Sequence, residues 1–197
     1  MEAPDQHQQR HSGSFLARLR RLATDRGGAG AVEFALIAPL LLSLYITSFE
    51  ITLGLSVSKR VTRSAGTIAD LVTRETSVNK ALLTTMEDVT DSLFAPYTPN
   101  ALSIRVTGVA LDAAGNPKVA WSWDDTDARP YAVGATVDVP TEMRIPNSFL
   151  IHSEVSVSHD LLMFMSGLLP SELKTITIAR DYFYRQRIGT SISCSDC

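Results

Sequence analysis

From Phe34 to Phe49 the chain carries no charge, with Glu33 standing immediately before this run and Glu50 immediately after it. The run is about 16 residues, short of the roughly 20 that cross a bilayer as a helix, so a membrane helix must take in Glu33, pass Glu50, or both. From Ala31 to Ser58 the length is ample, and Lys59, Arg60 and Arg63 then close the segment. An ionised carboxylate in hydrocarbon costs a few kcal/mol or more, so Glu33 reads as a functional residue in want of a partner. Glu50, near the outer end, reads as interfacial, able to snorkel or to bond neighbouring helix groups. Pro39 removes one backbone hydrogen bond and kinks or loosens the helix locally.

The residues before the span are polar and basic. Met1 to Ser14 has no apolar periodicity and reads as a disordered tail, in which His7 and His11 make no metal site. Phe15, Leu16, Leu19 and Leu22, interleaved with Arg18, Arg20 and Arg21, suit a short amphipathic turn on an anionic leaflet or a plain basic flank. Five Arg against three acids up to Gly28 leave the remainder near −5 of the overall −3. A mildly acidic body argues against a nucleic-acid binder, which needs a basic patch for phosphates. Basic residues flank the span on both sides, and a short leader before a long domain favours the amino terminus inside.

Past the span, Val57, Val61, Ile68, Leu71, Val72, Val78, Leu82, Met86, Val89 and Leu93 recur at helical steps, a stripe expected to pack on a sheet. Ser77 or Asn79 is placed to cap a second helix, and Pro96 with Pro99 ends the helical region. The period then becomes two. Leu102, Ile104 and Val106 alternate with polar residues, and Gly108 shifts the alternation to Val109 and Leu111, as a bulge would. Gly115-Asn116 turns the chain into Val119, Trp121 and Trp123, which share a face. Pro130 to Asn147 reads as loop with one short strand at Thr136 to Val139. Two longer strands follow, one with Val155, Val157, His159 and Leu161 facing alike, the other with Ile176, Ile178, Tyr182 and Tyr184. The expected class is α+β, a long membrane helix continuing outward and packed on an antiparallel sheet.

No catalytic or metal-binding pattern stands out in the chain. Gly28 to Glu33 is not a phosphate loop, since Glu33 fills the third glycine position of G-x-G-x-x-G and no strand precedes it. Asp124, Asp125 and Asp127 lack the closing Glu of a calcium loop and read as a solvated turn. Trp121 and Trp123 fit sheet core better than a sugar platform. His159 fits a core histidine, and Ser166-Gly167 lacks the G-x-S-x-G elbow. Cys194 and Cys197 form C-x-x-C without a βαβ setting, and His152 and His159, on opposite faces, cannot complete a zinc site. A small disulfide in an oxidising compartment remains, with two free thiols as the alternative. No enzyme, metal or cofactor is expected.

The stretch Arg26-Gly27-Gly28-Ala29-Gly30-Ala31-Val32-Glu33-Phe34-Ala35-Leu36-Ile37-Ala38-Pro39 closely resembles TadE-like pilus-assembly proteins, minor pseudopilins of tight-adherence (Tad, Flp-type IVb) systems. The resemblance is specific from Asp25 to about Arg63. Larger relatives with a von Willebrand type A domain are a poorer match, because this chain lacks the D-x-S-x-S motif. The resemblance implies a pilin-like fold and cleavage between Gly28 and Ala29 by an inner-membrane prepilin peptidase. It further implies that Glu33 and Phe34 dock the subunit, Glu33 pairing with the new amine of a neighbour's Ala29. The implied partners are that peptidase, other pilins and pseudopilins, and an inner-membrane assembly platform. The division that follows is a cytoplasmic leader over 1–28, a transmembrane helix over 29–58, a periplasmic helical region over 59–99 and a β-rich periplasmic domain over 100–197. The competing reading is an uncleaved single-pass anchor whose outer domain binds a ligand or partner.

Overall fold

In the computed structural model, residues 28–161 and 175–197 are described. The basic leader with its amphipathic turn, and Ser166-Gly167, lie outside the described residues. Two compact units meet at Ile46 and Thr47.

Helix α1 runs unbroken over Ala29–Val72 with Pro39 inside it. After it come β1 (Ser77–Val78), α2 (Lys80–Phe94), β2 (Asn100–Leu111), β3 (Pro117–Asp124), a 3-10 turn at Thr141–Met143, β4 (Phe149–Asp160), β5 (Thr175–Arg185) and β6 (Ser193–Cys194). Four strands form a sheet in the order β3-β2-β4-β5, every neighbour antiparallel. The protein is thus a long apolar helix packed against an antiparallel sheet, the α+β arrangement the sequence leads one to expect.

The expected bulge lies not in β2 but in β3 opposite Gly108, where the extra residue Ala120 puts Trp121 and Val119 on opposite faces and lets the sheet serve two cores. The β2–β3 register shifts between Gly108 and Val109. Ahead of the shift, Ile104 and Val106 join Trp121, Trp123, Ile151, Val155 and Val157 under the helices, against Val61, Ile68 and Val72 of α1. On the other face Val109 and Leu111, which the unbroken alternation of β2 already sets opposite Ile104 and Val106, pack with Val119, Leu150, Val137 and Val139. Those last two residues do not form the expected strand. The chain meets the edge of β3 only around Gly134 to Thr136, where one bridge joins Thr136 to Lys118, and then turns inward.

The second helix also departs from expectation, by one residue. It buries Leu83, Met86, Thr90 and Phe94 rather than a stripe through Leu82, Val89 and Leu93. Thr90 is tolerated there because its hydroxyl donates to the Met86 carbonyl at 2.8 Å, leaving a methyl to pack. The helix ends are held by other parts of the chain. Asn79 accepts from the Leu82 amide at 2.8 Å as N-cap, and the Asp196 carboxylate accepts from the Lys80 amide at 2.8 Å. At the other end Arg60 of α1 donates to the carbonyls of Leu93, Phe94 and Ala95, placing a cation where the helix dipole is negative.

Within the second unit, α1 and β5 run in the same direction in a simple register. Glu50 meets His159, the cross-strand partner of Ile176; Arg180 donates to the Ser58 hydroxyl; Gly66 faces the Tyr184 hydroxyl; and Asp70 pairs with Arg187. Eight helical residues rise about 12 Å. Four strand residues rise about 13 Å, so one repeat of each element keeps step with the other.

Candidate processing and docking segment

Gly28 is exposed and precedes the first residue of α1. Nothing lies within 4 Å of where a Cβ on Gly28 or Gly30 would stand, so packing does not require a glycine at either position. Glu33 follows on the same helix face as Ala29 and Ile37. Because side chains lean toward the start of a helix, its carboxylate lies over the turn that begins at Ala29. It is exposed and has no partner among the described residues. Phe34 is 68% exposed, Leu36 74% and Tyr45 69%. A core helix would hide such residues. The only helix among the described residues long and apolar enough to cross a membrane is this one, and its most apolar stretch is almost wholly uncovered within the chain.

Glu50 corrects an expectation. Instead of snorkelling at an interface it is 5% exposed and turned onto the end of β4, with His159 Nε2 3.5 Å from Oε1. Neither carboxylate oxygen has a hydrogen bond, nor does His159 Nε2. Beside this pair, Leu53, Val57, Phe94, Tyr97, Val157 and His159 line a largely apolar groove of about 210 Å³. Arg60, read from sequence as part of the basic flank, instead caps α2 and lies over the Tyr97 ring at 4.8 Å.

The remaining candidates resolve into structure. Trp121 and Trp123 are buried, their indoles donating to the Ile192 carbonyl at 2.7 Å and to Asp127 Oδ1 at 3.0 Å, which removes them as a sugar platform. Asp124 belongs to a tight turn. Partial burial works against its charge, but hydrogen bonds from Thr126 and Ala128 prevail and hold its carboxyl below the usual range. Asp112, in the β2–β3 turn, is held low by the side chain and amide of Asn116 and the amide of Ala114. His152 stacks on Phe183 with ring centres 4.0 Å apart and reaches Asp181 at 3.3 Å. Near it Tyr131 donates to Glu154; burial first, and then the Glu154 charge, push its phenol up. Glu87 on α2 is pushed up by burial and by the surrounding Asp125, Asp88, Asp91 and Asp127.

Cys194 and Cys197 are joined as a disulfide, Cα atoms 5.6 Å apart. With Asp196 between them they make the one cluster of metal-type donors among the described residues, but the bond occupies both sulfurs. Gly28, Ala29, Glu33 and Phe34 stand together at the start of α1, and the cysteines belong to the other unit. Sequence reasoning missed the Glu50–His159 pair, the Asp196 cap and the burial of Ile192.

Residues 28–70 match the model of a family described as TadE-like protein. The match opens on Gly28, spans Glu33, Phe34 and Glu50, and stops two residues before α1 ends. No curated protein and no solved structure matches the chain.

Proposed function

We propose that this chain is a minor pseudopilin of a tight-adherence pilus system, cut between Gly28 and Ala29 by a prepilin peptidase and docked through Glu33 and Phe34. Glu33 carries the reading. It is a lone exposed carboxylate without a partner among the described residues, on a helix whose neighbouring side chains are apolar and equally exposed. In hydrocarbon such a charge is costly unless a cation from outside the subunit meets it. Hydrolysis after Gly28 frees the amine of Ala29 as an ammonium, and the ammonium of one copy then meets Glu33 of its neighbour. Support also comes from Gly28 itself, since the fold gives no steric reason for glycine there.

In this reading residues 1–28 are a cytoplasmic leader, 29–58 cross the inner membrane, and 59–99 with 100–197 form the periplasmic part. Its partners are the peptidase, other pilins and pseudopilins, and the assembly platform of a fibre used in surface attachment. Amino-terminal sequencing of the membrane-extracted protein tests it, with Ala29 the expected first residue. A start upstream of Gly28 would make the chain an uncleaved anchor for its outer domain. Gly28→Trp should leave the band unshifted on a gel. Glu33→Ala should be cut normally yet assemble poorly, and normal fibres from that variant would refute the docking role.

A further inference from the structure

The geometry points to the Cys194–Cys197 ring as a redox-operated cap on α2. The first amides of any helix lack intrahelical acceptors, and they favour an anion. In α2, Leu82 is served locally by Asn79, but Lys80 is served by the carboxylate of Asp196, from a segment more than a hundred residues away. Asp196 lies inside the four-residue disulfide ring, which is anchored to the strand just ahead of the helix and braced internally. Ser193 and Cys194 pair with Ser77 and Val78 just ahead of α2, the Ser195 amide donates to the Val78 carbonyl at 3.2 Å, and the Cys197 amide donates to Cys194 Sγ at 3.2 Å. The ring therefore presents a preorganised carboxylate whose position costs little further entropy when it meets the helix.

Both cysteines are half-buried rather than enclosed, which leaves the ring open to thiol–disulfide exchange. Closing the ring forms one S–S bond and releases two protons and two electrons to a disulfide-bearing oxidant, which becomes a dithiol. A dithiol reverses the step by exchange, taking up the disulfide itself and leaving two thiols. Open, the segment keeps its pairing with β1 but loses the constraint that aims Asp196 at Lys80. The cap is present in an oxidising compartment and absent in a reducing one.

Hydrogen exchange of the full chain in detergent micelles, oxidised and after dithiothreitol, tests the cap. In the reduced protein, exchange across residues 77–86 is expected to quicken about fivefold to tenfold, the loss of one charged cap. The turn at 90–97, held by Arg60, is expected to keep its protection, which shows that the unit remains folded. Asp196→Ala with the disulfide intact should reproduce the change, and adding reductant to that variant should add less than about twofold. Unchanged protection of residues 77–86 in either case would overturn the cap. So would equal loss at both helix ends, because the ring would then be supporting the whole unit. None of these readouts involves cleavage at Gly28 or fibre formation, so the cap and the pilus reading can fail separately.

Discussion

Replacing Gly108 with alanine should be among the most damaging single-methyl additions in this protein. No left-handed backbone is involved at this position, so the cost is steric. A Cβ there would stand 2.5 Å from both Cε2 and Nε1 of Trp121 and 2.8 Å from Cζ of Phe149, all inside the core beneath the helices. Overpacking of this kind costs about 1–3 kcal/mol. The indole that must move also donates to the buried Ile192 carbonyl, and stranding that pair adds roughly 1–3 kcal/mol. A combined loss of about 2–6 kcal/mol is a large part of the 5–15 kcal/mol that holds a typical domain together, and corresponds to a melting point lowered by roughly 5–20 °C. Both tryptophans of the chain lie in this core, so intrinsic fluorescence during urea unfolding reads the site directly. Trp121→Phe removes Nε1, one contact atom of the clash and the donor of the bond. The double variant should therefore be clearly more stable than the sum of the two losses. A Gly108→Ala protein within about 0.5 kcal/mol of the parent, or strict additivity with Trp121→Phe, would refute the argument.

Other outcomes follow from the same contacts. Leu83→Ala should cost about 2–5 kcal/mol and Leu82→Ala much less, because only Leu83 is fully buried; equal losses in chemical unfolding would return the buried stripe to the register expected from sequence. Glu50→Leu or His159→Leu alone should destabilise more than the two together, since either single change leaves a buried polar partner orphaned; melting temperatures of the three variants decide it. Asp112 and Asp124 have carboxyls held below the ordinary 3.8, so their contribution is complete above that value and lost as pH falls through the depressed values. The melting temperature should therefore drop below about pH 4, and the Asp112→Asn/Asp124→Asn protein should show a shallower drop; parallel curves would exclude these turns as the cause.

What was legible in the sequence is what is local. The family match that opens on Gly28 rests on consecutive residues, and the β2–β3 hairpin announces itself through the alternation of its strands and the Gly115-Asn116 turn. The buried stripe of the second helix lies one residue from the one its periodicity predicts, for a definite reason. Leu82 and Leu83, and again Leu93 and Phe94, are adjacent apolar pairs, so two stripes fit the same period, and a buried threonine concealed the right one. Sequence neighbours that are apolar and basic place Glu50 and Arg60 at a membrane boundary, whereas their partners are 109 and 33 to 35 residues away. The segment around Ile192 has no periodicity at all. Its burial comes from pairing with β1 and from the Trp121 indole, neither of which a short serine- and cysteine-rich stretch can signal.

The step-for-step register of α1 with β5 bears on how the protein responds to force. Because the helix and the strand run the same way, a pull along the helix axis loads Ser58 against Arg180 and Gly66 against Tyr184 of β5 sideways, together with Glu50 against His159 of β4 and Asp70 against Arg187 just past β5. Elements loaded in shear share tension across every contact, while elements peeled from one end break in sequence at low force. The part of α1 that lies along the sheet, drawn along its axis, would therefore resist as a lap joint does, its contacts sharing the load until they slip together.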